Sequence, residues 1–317
     1  MKILFLADPI SHLKPLSDST LCLVREALKE CQVYWGNATD VEYQNGRVTV
    51  NSSKVVECQK DVLPRLEASG CSEIRGMDAV LIRKDPPFDN QYVRLCWLLS
   101  LVEKNVWMMN RPSLLIRYHE KLIPLEAHAN GFLRDEDLIP THIGSFESAQ
   151  SFVKENKFDH VVIKPFLGFA GGGIALESKE SFLQMNSLDD AADAIVQPYF
   201  SEVTKSGDRR VFFLEGNLLA HFVRMPRKGG FVSNLAQGGS AQKVPLSAME
   251  TEVLEKLGKF LKSVGIVFAG ADVIDGRISE VNITSPTGLR SLEALEGNDY
   301  SKVVIDFVKR SVGLRIQ

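Results

Sequence analysis

Residues 270–286 read GADVIDGRISEVNITSP. Two short, largely apolar runs flank the turn dipeptide Asp275-Gly276, so the stretch predicts a β-hairpin. Strands seldom carry two acids and an amide close to their turn, yet Asp272, Glu280 and Asn282 stand here. Residues two apart on a strand face the same side, so Glu280 and Asn282 share a face. Asp272 depends on the turn. A two-residue turn would pair Ile274 with Arg277 and send Asp272 to the opposite face. A three-residue loop Ile274-Asp275-Gly276, with Gly276 in the left-handed region, brings Asp272 onto the face of Glu280 and Asn282. The three-residue loop is the expectation. Oxygen ligands without histidine or thiol suit a hard ion such as Mg2+, which binds through one or two carboxylates and substrate phosphates. Acids on a solvated strand face are the plainer reading of the same residues.

Upstream, residues 161–177 read VVIKPFLGFAGGGIALE. Lys164 ends a strand, and Gly168, Gly171, Gly172 and Gly173 follow before the next one. Glycines let backbone N–H groups converge and let a phosphate approach without meeting a Cβ, while the lysine supplies charge. The run lacks the Gly-Lys-Ser/Thr of a Walker loop and leads into a strand, so it is not a dinucleotide fingerprint either. By itself such a turn is more often structural. Residues 194–200, AIVQPYF, form a strand whose end, Gln197 to Phe200, can offer backbone groups to a purine edge. Lys121, in YHEKLIP, taken alone reads as a solvated helix charge. Arg83 ends a strand in LIRKDPPFD, while Arg210 begins and Arg224 closes a further hairpin. Planar guanidiniums around a cleft suit an anionic substrate.

The chain has 317 residues, 44% of them hydrophobic and 24% charged, with a net charge of -3. Those totals carry no footprint for nucleic acid or an anionic membrane. Five cysteines, all in the first third and without a Cys-x-x-Cys pair, predict reduced thiols and a cytoplasmic protein. The opening MKILFLADPI is too short for a signal core or a membrane span and reads as a first strand. Alternating strands and helices over residues 1–118 predict an α/β domain with an open, mostly parallel sheet. Residues 119–199 and 200–317 read as α+β units with antiparallel sheets. The glycine-rich residues 227–242 form a long loop, and loops of that length are usually functional.

The segments ADPI, DST, LIRKDPPFD, NRP, EKL, IKP, the glycine loop, GDRRV, RMP, SNLAQGG and GADVIDGRISEVNITSPTGLR occur in this order along the whole chain. In them the chain resembles the prokaryotic glutathione synthetase family of ATP-grasp ligases. The resemblance implies that ATP and Mg2+, or Mn2+, drive the joining of γ-glutamylcysteine to glycine through an acyl phosphate, releasing ADP and phosphate. It implies nucleotide contacts at Lys121, Lys164, Gly168, Gly171, Gly172, Gly173, Gln197, Pro198, Tyr199, Phe200 and, on the ribose side, Asp208. Asp272, Glu280 and Asn282 become metal ligands. Arg210 and Arg224 act at the transferred phosphate, and Arg83, Asn234 and Thr287 at the acceptor peptide. Residues 119–199 become a lid subdomain, residues 200–317 the domain with the metal site, and residues 227–242 a closing loop. A homo-oligomer acting on small molecules, without nucleic-acid or membrane partners, completes the implied picture. The chain departs from the family pattern at Ser233 and Ser240, where arginines are expected; Arg227 or Lys228 are the candidates to replace that charge. A related ligase with another amine or acyl acceptor, and a non-catalytic ATP-binding protein, stay open at this stage.

Overall fold

The computed structural model describes residues 1–168, 172–187, 194–227 and 238–316. Three sheets organise them. In the first, Lys2–Ala7 lies between Gln32–Asn37 and Ala79–Arg83, with Trp107–Met109 beyond, all parallel. The near-continuous apolar run of Lys2–Ala7 follows from this place, since a central parallel strand is covered on both faces. Arg47–Glu57 extends the sheet antiparallel to Gln32–Asn37 and pairs with Glu42–Gln44 across Asn45-Gly46, whose φ values of 51° and 80° make the tight hairpin turn that dipeptide favours. Helix Ser19–Ala27 packs on this sheet. Its N-cap is Asp18, whose Oδ1 accepts from the Thr20 and Leu21 amides at 2.6 and 3.0 Å.

The second sheet, ordered Ala175–Ser178, His160–Pro165, Ala194–Pro198 and His142–Ile143, is antiparallel throughout. It has its own small core around Phe146, Val153, Val161 and Phe182. The third sheet runs Ser240–Gln242, Asn217–Met225, Asp208–Leu214, Phe268–Ile274 and Arg277–Asn282, also antiparallel. Two larger hydrophobic clusters join the first sheet to the third: one packs Leu4 and Tyr92 with Val211 and Phe260, the other Phe5 and Trp35 with Phe222 and Phe268. Asn110 stitches the same two sheets. Its Nδ2 donates to the Phe268 and Ile283 carbonyls at 2.7 and 2.8 Å, and its Oδ1 accepts from the Val267 and Phe268 amides at 2.9 and 3.0 Å.

The hairpin of residues 270–282 corrects the expected turn. Ile274 pairs with Arg277, and Asp275 and Gly276 have φ of 50° and 74°, so the turn has two residues, not three. The faces are rescued elsewhere. A β-bulge makes Asp272 pair with Glu280 while Val273 pairs with Ile278, leaving Ser279 as the extra residue. One inserted residue reverses the alternation, which restores Asp272 and Glu280 to one face. The short helices Pro112–Arg117 and Leu289–Glu296 were not anticipated, because each spans only about two turns and carries too little periodicity to read. The five cysteines are free. Among the described residues no helix is long and apolar enough to cross a membrane.

Candidate active site

The three sheets surround a cleft of about 880 Å3. At its centre, cross-strand pairing sets Arg210 opposite Asp272 and Asp208 opposite Arg224. Arg210 Nε and Nη2 donate to the two carboxylate oxygens of Asp272 at 2.6 and 3.1 Å, and its Nη1 donates to the Thr287 carbonyl at 3.1 Å. Arg224 lies 2.8 Å from Asp272 Oδ2 and donates from Nε to Asp208 Oδ1 at 2.9 Å, with a second bond from Nη2 to Asp208 Oδ2. All four side chains are nearly buried. Burial by itself would raise the Asp272 carboxyl, but the two guanidiniums outweigh it and hold that group well below the carboxylate range. Asp208 goes the other way: burial pushes its carboxyl up despite Arg224. The expected ribose contact is therefore a salt-bridge partner of Arg224 in this structure.

The bulge aims both Ser279 and Glu280 into the cleft, where Asn282 joins them. Lys164 Nζ donates to Ser279 Oγ at 3.4 Å. Lys121 Nζ donates to the carbonyls of Phe166 and Gly168 at 2.8 and 2.5 Å, and lies 3.6 Å from Glu120 Oε1. The Val281 amide donates to the Glu120 carbonyl at 2.9 Å, so the segment bearing Lys121 is tied to the strand bearing Glu280. Gly168 admits no side chain, since a Cβ there would lie 2.3 Å from Pro165 Cγ. Sequence reasoning missed Glu120, whose carboxyl is raised to about 7 by burial first and by Glu280 second. Its one sequence signal was adjacency to Lys121.

Glu280 tests the fit of a metal. Among the described residues its carboxylate has no hydrogen bond or salt bridge, and burial together with the charge of Asp272 raises its carboxyl. An ion of charge +2 would relieve that cost. The donors nearby, Asp272 across the strand pair and Asn282 two residues on, supply only oxygen ligands of the hard type. The residues present fit Mg2+.

Gln197, Pro198, Tyr199 and Phe200 line the cleft beyond the lysines. Gln197 Nε2 donates to Thr141 Oγ1 at 2.9 Å, and the Arg277 guanidinium sits 5.1 Å from the Phe200 ring centroid. Gly168, Gly172 and Thr287 also line the wall, whereas Gly173 does not. Arg83 lies behind the wall, 3% exposed, donating to Thr20 Oγ1 at 3.1 Å and to the Pro286 carbonyl at 3.0 Å. Gly171, Lys228, Ser233 and Asn234 lie outside the described residues; Arg227 and Ser240 are exposed.

Comparison with known proteins agrees with this geometry. Residues 1–116 match the N-terminal domain of prokaryotic glutathione synthetase, and residues 135–297 match its ATP-grasp domain. The chain belongs to the prokaryotic glutathione synthetase family. A glutathione synthetase of Prochlorococcus marinus subsp. pastoris is 32% identical over 315 residues, covering 96% of this chain and 98% of that one. The Nitrosomonas europaea glutathione synthetase is 29% identical over 325 residues, covering 98% of each. The fold is also that of D-cycloserine synthetase DcsG, with a TM-score of 0.64 at 14% identity, over 96% of this chain and 99% of that chain. The ATP-grasp ligase PsnB, solved with its precursor peptide and AMPPNP, gives 0.61 at 14% identity over 98% of each chain. As a glutathione synthetase family member the protein is an ATP-dependent carboxylate–amine ligase.

Proposed function

We propose that this protein joins γ-glutamylcysteine to glycine, using ATP and Mg2+ and forming glutathione. The observation that carries the reading is the convergence in one cleft of two lysines, a partly exposed glutamate with no hydrogen bond or salt bridge among the described residues, and a paired-arginine network. Such a site needs no protein nucleophile and works by positioning and charge. The cysteinyl carboxylate of γ-glutamylcysteine attacks the γ-phosphorus of ATP, the bond to ADP breaks, and an acyl phosphate results. The neutral amine of glycine then attacks the acyl carbon, phosphate departs with the electron pair, and the amine proton is lost to phosphate or solvent.

Each residue has a part in this reading. Lys121 and Lys164 neutralise the phosphates, which requires Lys121 to exchange the Phe166 and Gly168 carbonyls for phosphate oxygens. The glycine turn at Gly168, Gly171, Gly172 and Gly173 covers the phosphates, and Gln197 to Phe200 receive the adenine. Asp272, Glu280 and Asn282 hold Mg2+, or Mn2+, which when bound offsets the charge of the transferred phosphoryl group. Arg210 and Arg224 screen repulsion between the carboxylate and the phosphate. Thr287, Asn234 and, from behind the wall, Arg83 shape the acceptor side. Asp208 acts through Arg224, with the ribose contact as a second role. We read residues 1–118, 119–199 and 200–317 as substrate-side domain, lid and metal-bearing domain, a division supported by one sheet in each. We also assign the protein to the cytoplasm as a homo-oligomer without nucleic-acid or membrane partners, in keeping with its free thiols and modest charge.

The test is ADP release with Mg2+ and γ-glutamylcysteine, with and without glycine, with the product weighed by mass spectrometry. Release that needs both substrates and yields glutathione is expected. Glycine-independent turnover, or a product other than glutathione, overturns the reading in favour of a related ligase. Tight ATP binding without turnover of any acyl–amine pair would mark a non-catalytic protein.

A further inference from the structure

Among the described residues, the hydrophobic cluster beneath the second sheet holds no residue of the first or third sheet. Three consecutive residues of the metal-bearing hairpin reach that unit instead. The Arg277 guanidinium lies over the Phe200 ring, 5.1 Å from its centroid, just past the strand Ala194–Pro198. The Ile278 carbonyl accepts from the Ile139 amide at 3.5 Å, shortly before His142–Ile143. Ser279 Oγ accepts from Lys164 Nζ at 3.4 Å, within His160–Pro165.

Strand alternation and the bulge explain how three neighbours divide these contacts. Ile278 is 1% exposed and belongs to the core shared by the first and third sheets, so Arg277 and Ser279 face the other way. Ser279 is the extra residue of the bulge, and as a result it and Glu280, though consecutive, both line the cleft. One residue therefore meets Lys164, and the next is the carboxylate assigned to the metal. Arg277 stands behind Phe200, whose side chain lines the cleft. Its own guanidinium is held by the turn, since Nη1 donates to Asp275 Oδ2 at 2.7 Å and to the Asp275 carbonyl at 3.2 Å. Both targets gain from being held. Phe200 is half-buried at a strand end, and a cation over its face favours one ring orientation. Lys164 carries its charge on a flexible four-carbon stem, and an acceptor oxygen restricts where the ammonium rests.

We propose that Arg277 and Ser279 are positioning residues for the nucleotide, Arg277 through the Phe200 ring at the adenine and Ser279 through the Lys164 ammonium at the phosphates. This rests on the ligase reading above and gives the hairpin a second task beside holding the metal. It sets the pose of nucleotide groups that another sheet supplies. The two residues act at opposite ends of ATP, so their effects separate.

The experiment measures dissociation constants in the full-length protein with Mg2+, for AMPPNP by calorimetry and for AMP by competition against it. AMP keeps the base but lacks the outer phosphates. Arg277→Met, which retains an apolar stem without the charge, is expected to weaken both nucleotides by the same factor of about three. In a Phe200→Leu background the same change is expected to add nothing, because the ring it acts through is gone. Ser279→Ala is expected to weaken AMPPNP about threefold or more and to leave AMP unchanged, while Ser279→Thr, which keeps the hydroxyl, restores AMPPNP. Equal losses of both nucleotides in Ser279→Ala overturn the role of Ser279. A full Arg277→Met loss that persists without the Phe200 ring overturns the role of Arg277. A wild type that shows this split yet makes no glutathione overturns the function and supports the positioning roles, whereas one that binds no AMPPNP overturns both. Unchanged melting temperatures without nucleotide exclude misfolding as the cause.

Discussion

Asp272 shows how much a single side chain depends on its partners. Its carboxylate carries both Arg210 and Arg224, so removing it leaves Arg224 with Asp208 and strips the buried Arg210 guanidinium of its carboxylate partner. Asp272→Ala is expected to cost about 3 kcal/mol or more of stability, beyond its loss of activity, as seen in urea denaturation of the metal-free protein. Glu280→Gln should behave differently. Its carboxylate is a charge that burial disfavours, so the variant is expected to be at least as stable as the parent while ADP release falls about a hundredfold or more at fixed Mg2+. Glu120 adds a pH signature. Its folded-state value, raised from 4.5 to about 7, means that the native protein holds the proton more tightly than the unfolded chain. Stability of the metal-free protein from this group is then greatest below pH 4.5 and falls as pH rises to about 7. Glu120→Gln should accordingly raise the melting temperature at pH 8, with the gain shrinking towards pH 4.5. An equal gain at both pH values would refute the assignment.

At the scale of an element, the hairpin of residues 268–282 does its work through two irregularities. The turn needs positive φ at Asp275 and Gly276, and a Cβ on Gly276 would also meet Met249 Cε at 2.2 Å. Gly276→Ala is therefore expected to lose roughly 1 kcal/mol or more, whereas Asp275→Asn, equally at home in this turn, should stay within about 0.5 kcal/mol. Urea midpoints decide between them. The expected three-residue loop reached the correct faces for the wrong reason. Alternation allows only even or odd registers, and a bulge inside the strand changes the parity as surely as a longer turn. Nothing in Arg277 to Asn282 marks Ser279 as the bulged residue; the shift shows only in the strand pairing.

For the whole molecule, the distribution of core matters most. The first and third sheets share two large clusters and the fully bonded Asn110, while the second sheet rests on a small core of its own. Hydrogen exchange should therefore be faster in His160–Pro165 and Ala194–Pro198 than in Lys2–Ala7 or Asp208–Leu214, and MgATP should slow it in the second sheet most. Uniform protection across the three sheets would count against a separate lid.

Sequence by itself determined the parts whose signal is local. The apolar run of Lys2–Ala7, the alternation of strands and helices and the ordered motifs from ADPI to TSPTG were enough for the α/β fold of the first sheet, the antiparallel units and the family. Tertiary structure alone decided what depends on parity and on neighbours remote in the chain. It set the bulge at Ser279, the salt bridges that tie Asp208 and Asp272 to Arg224, the burial of Arg83 behind the wall and the raised carboxyl of Glu120. The physical reason is that hydrophobic periodicity and turn chemistry act over a few residues, whereas burial and charge act through space between strands that the chain brings together only when it is folded.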